Sequence, residues 1–211
     1  MFGNLKGKSI SFEGGEGSGK STIIKNVIAY LNDRGYVDCI ATREPGGVRI
    51  SEQIREVIVS KDNKEICSET EALLFAAARA QFMSQVIRPA IEDEKTIFID
   101  RFVDSSLVYQ GIARGLGVDR VWGINQMATN GWVPDLTIIL DLEPEVGLKR
   151  ISDNNRETNR LDEEDLSFHY AIRDGYHSLV EMYPERNIVI IDANRPVEEI
   201  VFDIIEILSN L

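Results

Sequence analysis

Five short runs along the chain are apolar enough to lie in a sheet: Ile10 to Glu13, Cys39 to Arg43, Thr96 to Asp100, Leu136 to Leu142 and Ile188 to Asp192. Three of them contain almost continuous apolar stretches, Ile97-Phe98-Ile99, Ile138-Ile139-Leu140 and Ile188-Val189-Ile190-Ile191. That is the pattern of strands covered by helices on both faces rather than wetted on one. Between the strands the apolar positions take helical spacing. Ile23, Ile24, Val27, Ile28 and Leu31 form one such stripe, and Val197, Ile200, Val201, Ile204 and Leu208 form another, with Pro196 in its first turn. Ser68-Glu69-Thr70-Glu71 has the form of a capping box and opens a helix expected to run through about Ala90. The alternation predicts an α/β fold: a parallel five-stranded sheet with helices on both faces.

Length and charge narrow the class. The 211 residues, 43% hydrophobic, show no repeat, low-complexity tract or linker, so one domain spanning 1–211 is expected. No apolar run approaches the roughly 20 residues that cross a bilayer, and the first residues lack the apolar core of a signal peptide. Cys39 and Cys67 form no C-x-x-C motif, which suits a reducing compartment, and a cytoplasmic location is expected. The net charge of -12 opposes nucleic-acid binding, because that affinity grows with the phosphates neutralised by Lys and Arg. Small phosphorylated ligands remain open, since a local basic cluster can be positive inside an acidic protein.

The strongest chemical signal follows the first strand. Gly14-Gly15-Glu16-Gly17-Ser18-Gly19-Lys20-Ser21-Thr22 matches G-x-x-x-x-G-K-[ST] between a strand-like and a helical segment, the context that the P-loop requires. Its glycines let backbone N–H groups converge on an anion, Lys20 can reach the β- and γ-phosphates, and the Ser21 hydroxyl can ligate Mg²⁺. At the end of the third strand Asp100 could hold the same Mg²⁺ directly or through water, and Arg101 could grip phosphate; a strand-end ion pair is the plainer reading.

Other constellations are weaker on their own. Arg43-Glu44-Pro45-Gly46-Gly47 lies at the carboxyl end of the second strand, where open α/β sheets bind ligands, though a simple tight turn has the same composition. Phe75 and Arg79 stand at i and i+4, so a ring and a planar donor fork share one helix face and could stack on and hydrogen-bond a base. Phe75 also belongs to an apolar stripe with Phe82 and Val86, which Arg79 could cap by snorkelling. Ser106 and Gln110 are likewise at i and i+4, beside Ser105 and Tyr109, and a Gln amide both donates and accepts, as the mixed edge of a pyrimidine demands. Ser152 to Glu164 is almost devoid of apolar residues and is expected to be an exposed, mobile loop or an arginine-bearing lid.

Taken together, Phe12 to Thr22, Arg43 to Gly47, Asp100-Arg101-Phe102 with Ser105-Ser106, and Tyr109-Gln110-Gly111 resemble the bacterial thymidylate kinases, a family of nucleoside monophosphate kinases. The resemblance implies Mg²⁺-dependent transfer of the ATP γ-phosphoryl group to dTMP, giving dTDP and ADP, in a homodimer. It implies further that Phe75 stacks on thymine, that Arg79 and Gln110 bond its edge, that Arg101 binds the dTMP phosphate, that Glu16 lies near the 3′-hydroxyl, and that Tyr109 faces the sugar. Arg43, Pro45, Arg55, Ser105 and Ser106 complete the implied acceptor site. Gly17 stands where the eukaryotic-like class carries an arginine, so the basic catalytic group is expected from the lid, Arg156 first and Arg160 second, with Asp162 or Glu163 as possible structural partners of Arg160. Two departures stand out: Val48-Arg49-Ile50-Ser51 replaces the usual Val-Pro-x-Gly, and Phe102 replaces a tyrosine or histidine. A kinase for another nucleoside monophosphate or a deoxynucleoside, or a P-loop switch, is the alternative. Against a GTPase switch, no D-x-x-G follows Asp100, and Asn63-Lys64-Glu65-Ile66 lacks the last residue of N-K-x-D.

Overall fold

The computed structural model describes residues 3–36, 38–154 and 158–211. Its strands are β1 (Ser9–Glu13), β2 (Cys39–Arg43), β3 (Thr96–Asp100), β4 (Leu136–Asp141) and β5 (Ile188–Asp192). All neighbours pair in parallel, in the order β2-β3-β1-β4-β5. The helices are α1 (Lys20–Asn32), α2 (Arg49–Val59), α3 (Ser68–Phe82), α4 (Arg88–Glu92), α5 (Val103–Ser106), α6 (Val118–Thr129), α7 (Pro144–Asp153), α8 (Leu166–Met182) and α9 (Val197–Ser209). The parallel α/β fold expected from the apolar runs is therefore present.

Both faces of the sheet are covered. On one, Ile10 and Phe12 of β1, Phe98 of β3 and Leu136, Ile138 and Leu140 of β4 pack against Ile23, Val27 and Leu31 of α1 and Ile200, Ile204 and Leu208 of α9. On the other, Ile97, Ile99 and Ile139 meet Phe82, Leu107, Val108, Val121, Ile172 and Leu179. Each fully buried aliphatic or aromatic side chain of this kind stabilises the fold by roughly 1.5–3 kcal/mol.

The central strand β1 breaks the apolar rule on the second face, where it presents Ser9, Ser11 and Glu13, all buried. They are satisfied by a polar seam. Ser11 Oγ is 3.0 Å from Thr137 Oγ1, Thr137 donates to Asp104 at 3.1 Å, and Arg186 clamps Asp104 with two bonds of 2.6 Å. Buried polar groups matched in this way avoid the desolvation penalty of an orphaned donor or acceptor.

Three local expectations are corrected or refined. Ser68 is already helical and its cap position, Cys67, makes no side-chain capping bond, so the capping box is not formed; Glu71 turns inward instead. The helix expected through Ala90 changes to π geometry over Met83–Ile87 before α4 continues it. Pro196 likewise lies just before α9 rather than in its first turn.

The strand order places the binding crevice. From β1 the chain leaves toward β2, and from its neighbour β3 it leaves toward β4, so connections part in opposite directions above these two carboxyl ends. That is the topological switch point at which such sheets bind ligands.

Candidate active site

A cleft of about 750 Å³ opens there, lined at one end by Gly17, Ser18, Gly19, Lys20, Ser21 and Thr22 and at the other by Pro45, Phe75, Arg79, Ser106 and Gln110. Glu16, Arg43, Arg55, Asp100, Arg101, Ser105 and Tyr109 line it as well. Gly14 and Gly15 sit beneath, their carbonyls accepting hydrogen bonds from Lys20 Nζ at 3.2 and 2.9 Å, with Ser18 Oγ at 3.1 Å. Burial and the neighbouring Arg101 charge push the Lys20 ammonium down to about 8.

The loop can take its shape because it touches α7 main chain to main chain. Gly17 has φ +69°, and a Cβ there would lie 2.1 Å from the carbonyl oxygen of Gly147; a Cβ on Gly147 would lie 2.1 Å from that of Glu16. An arginine at position 17 is excluded by the same contact, which gives a steric reason for the glycine.

Ser21 Oγ donates to Asp100 Oδ2 at 2.5 Å, so a hydroxyl and a carboxylate stand side by side at the foot of the cradle. Among the described residues no group of three or more His, Cys, Asp or Glu gathers as a metal cage. Two hard oxygen donors next to a phosphate cradle fit Mg²⁺, which is held by few protein ligands together with water and phosphate oxygens.

Arg101 is aimed by its backbone. Its φ of +68° is a left-handed conformation that costs a non-glycine residue of order 1–3 kcal/mol. Glu13 offsets this: one oxygen accepts from Phe102 N at 2.7 Å, the other from Ser105 Oγ at 2.6 Å and Tyr176 Oη at 3.0 Å. The Arg101 guanidinium then bonds Glu16 and Ser105, the latter at 3.1 Å. Tyr109 donates to the other oxygen of Glu16 at 3.1 Å. Burial would raise the Glu16 pKa, but the Arg101 and Lys20 charges and the Tyr109 bond hold it below the ordinary glutamate value. Glu16 is thus an anion between the two ends of the cleft.

Arg79, read as a base contact or a snorkelling cap, is 2% exposed and held on several sides. Nε donates to Glu44 at 2.7 Å, one terminal nitrogen to Ser106 at 3.0 Å and to Asn125, and the other to the Phe102 carbonyl at 2.9 Å. Four of its five N–H groups are used, and one remains for the cleft. Burial raises the Glu44 carboxyl to about 7 against the pull of Arg79. Phe75 is half-buried and outside the core cluster that contains Phe82, so its ring borders the cleft. Phe102 is core, edge-on to Trp132 with ring centroids 5.3 Å apart and 5.2 Å beneath the Arg79 guanidinium, so its side chain backs the site without lining the cleft. Arg43 pairs with Glu52 at 2.8 and 3.0 Å, Arg55 donates to the Pro45 carbonyl at 3.1 Å, and Arg49 opens α2 away from the lining.

The expected lid needs correcting. Ser152, Asp153 and Asn154 are exposed, but Arg160, Leu161 and Asp162 are buried. Arg160 donates to Glu71 at 2.5 Å and to the Ile58 carbonyl at 3.0 Å, so its partner is neither Asp162 nor Glu163, and its charge is occupied in a buried pair. Arg156 lies outside the described residues.

The supports are not legible in the sequence: Glu71 reads as part of a capping box, Glu13 only as the end of the strand before the P-loop, and Asn125 and Tyr176 carry no motif, so that all four acquire their role only through partners distant in the chain. Arg150, Ala193, Arg195 and Val197, which also line the cleft, are not singled out for it by the sequence either, whereas Asn154 lies in the segment expected to form the lid.

Comparison with known proteins agrees with this geometry. The family model for thymidylate kinase matches residues 12–204. The chain belongs to the thymidylate kinase family. A thymidylate kinase of Clostridium novyi (strain NT) is 55% identical over 196 residues, covering 92% of this chain and 95% of that protein. Another, from Geobacillus sp. (strain WCH70), is 51% identical over 197 residues, covering 93% of each chain. The crystal structure of thymidylate kinase from Ehrlichia chaffeensis superposes with a TM-score of 0.76 at 27% identity, covering 95% of this chain and 98% of that one. No helix among the described residues is long and apolar enough to cross a membrane.

Proposed function

We propose that the protein transfers the γ-phosphoryl group of ATP to dTMP, giving dTDP and ADP, and so supplies dTTP synthesis. One observation carries this reading: a single cleft has a main-chain phosphate cradle at one end and a half-buried ring flanked by Arg79 and Gln110 at the other, with Arg101 between them.

The chemistry consists of bringing two anions into line and stabilising charge on the group in flight. In this reading Gly14 to Thr22 hold the ATP phosphates, and Lys20 exchanges the Gly14 and Gly15 carbonyls for phosphate oxygens. Arg101 exchanges Glu16 for the acceptor phosphate, which leaves Glu16 and Tyr109 to face the sugar. Arg43 and Arg55 border the same acceptor phosphate. Ser21 and Asp100 would hold Mg²⁺, which when bound neutralises charge across the β- and γ-phosphates. Arg156 is the lid cation proposed for the transferring group.

We attach a homodimer to this reading. Val57, Leu73 and Met127 are left exposed on the packed helices α2, α3 and α6, with Met127 91% accessible, and are the apolar side chains we assign to its contact. The proposed compartment is the cytoplasm, where the thiols of Cys39 and Cys67 stay reduced.

The test is ADP release with ATP, Mg²⁺ and each common monophosphate in turn. dTMP is expected to be the best acceptor. Phosphorylation of AMP but not dTMP, or tight ATP binding with no turnover on any acceptor, overturns the proposal.

A further inference from the structure

Glu71 is buried beside the acceptor end of the cleft, at 1% exposure, on the same helix as Phe75 and Arg79 and one and two turns before them. It accepts from Gln110 Nε2 at 2.8 Å, from Arg160 at 2.5 Å, and more distantly from Arg114 at 3.3 and 3.4 Å. Arg160 is itself fixed to the Ile58 carbonyl, and Arg114 to Glu164 at 2.5 Å, so the carboxylate is clamped by two anchored guanidinium groups. Burial alone would raise its pKa, yet the bonds from Gln110 and Arg160 and the charges of Arg114 and Arg160 hold it below the ordinary glutamate value. An ionised carboxylate only accepts hydrogen bonds. The atom that Gln110 turns toward it must therefore be nitrogen, and the amide oxygen is left for the cleft that Gln110 lines.

We propose that Glu71 is a positioning residue that fixes the polarity of the Gln110 amide, so that a carbonyl oxygen meets the pyrimidine edge and accepts the N3–H that thymine and uracil carry and cytosine lacks. The proposal rests on the assignment of dTMP as acceptor. It gives a physical origin for discrimination: a cytosine N3 lone pair facing the fixed oxygen leaves two acceptors opposed in a buried site. The methyl group that separates dTMP from dUMP plays no part in it.

The experiment measures kcat/KM for dTMP, dUMP and dCMP in the wild-type enzyme, Glu71→Gln, Gln110→Met and the double variant, with melting temperatures alongside. Glu71→Gln keeps the side-chain volume but allows the Gln110 amide to turn. Its preference for dTMP over dCMP is expected to fall by about tenfold or more, the size of a lost buried hydrogen-bond match. The preference for dTMP over dUMP and the KM for ATP should stay unchanged. Gln110→Met should reproduce the loss, and the double variant should add nothing to it. A Glu71→Gln enzyme whose dTMP and dCMP rates fall in parallel as its melting temperature drops shows a purely structural residue and overturns the proposal. Should that variant fail to fold, Gln110→Met decides: an unchanged dTMP-to-dCMP ratio overturns the proposal just as directly. A folded wild-type enzyme that phosphorylates other monophosphates but not dTMP overturns the acceptor assignment first.

Discussion

The two ends of the cleft are built on opposite plans. The donor end is one continuous stretch, Gly14 to Thr22, in which main-chain groups and a single lysine do the work. The acceptor end is assembled from side chains on β2, α2, α3 and the segment after β3, and its polar readers are held by other side chains, buried ones for Arg79 (Glu44, Ser106 and Asn125) and Gln110 (Glu71), half-buried ones for Arg101 (Glu16 and Ser105). The difference follows from the ligands each plan suits. A phosphate presents similar acceptors in every direction, so converging N–H groups suffice. A base edge alternates donors and acceptors in one plane, so each reading group must be fixed in direction, and each buried charge needs its own partner.

Breaking the donor end should therefore stop chemistry while leaving acceptor recognition intact. Lys20→Ala removes the charge nearest the transferring group, and kcat is expected to fall by at least about a hundredfold, the scale of one lost transition-state donor. KM for dTMP should stay within about twofold, because the groups that hold the acceptor are untouched. Steady-state kinetics with each substrate varied in turn provide the check, and an unchanged kcat would remove Lys20 from the mechanism.

The same contrast explains what the sequence made legible. The P-loop could be read because its function is local: nine consecutive residues contain the whole device and its strand-to-helix context. Strands β3 and β4 were visible because burial on both faces leaves an apolar run, and the edge strands β2 and β5, only partly buried, still keep Cys39-Ile40-Ala41 and Ile188-Val189-Ile190-Ile191. Even β1 was found, although one of its faces is a polar seam, because Ile10 and Phe12 lie beside the P-loop signal. The acceptor residues were reached only through the combined motifs of a family. Spacing alone could not tell whether Arg79 faced solvent, core or ligand, and the fold makes it a buried charge with one N–H to spare. Arg160 was assigned to a lid, and Glu71 to a capping box, for one reason. A charged residue in a polar stretch reads as solvated, and its buried partner stands 89 positions away.

Loosening the acceptor end should have the reverse signature. Asn125 lies 1% exposed on α6, accepts from Arg79, and donates to the Val121 carbonyl at 2.8 Å. Asn125→Ala leaves a buried N–H of Arg79 without its acceptor, a loss of about 1–3 kcal/mol in stability. KM for dTMP should rise severalfold while KM for ATP is unaffected. Urea unfolding and the two KM values measure this. Equal rises in both KM values would show that the two ends are not separately supported.

The smallest expected effect separates the ends by pH. Lys20 is held near 8, well below its usual 10.5, because burial and Arg101 disfavour its charge. As pH rises through about 8, the free enzyme loses the ammonium that meets the ATP phosphates, and kcat/KM for ATP should decline. The limb in kcat should lie at higher pH, since bound phosphate favours the charged lysine. Stability should move in the other direction. Between about 8 and 10.5 the unfolded chain holds the lysine proton more tightly than the folded one, so this group makes the fold more stable as pH increases across that window. Activity that falls while the melting temperature holds or rises identifies deprotonation rather than unfolding. Lys20→Arg, charged throughout, should flatten the limb in whatever activity it retains, and a limb that persists in that variant belongs to another group.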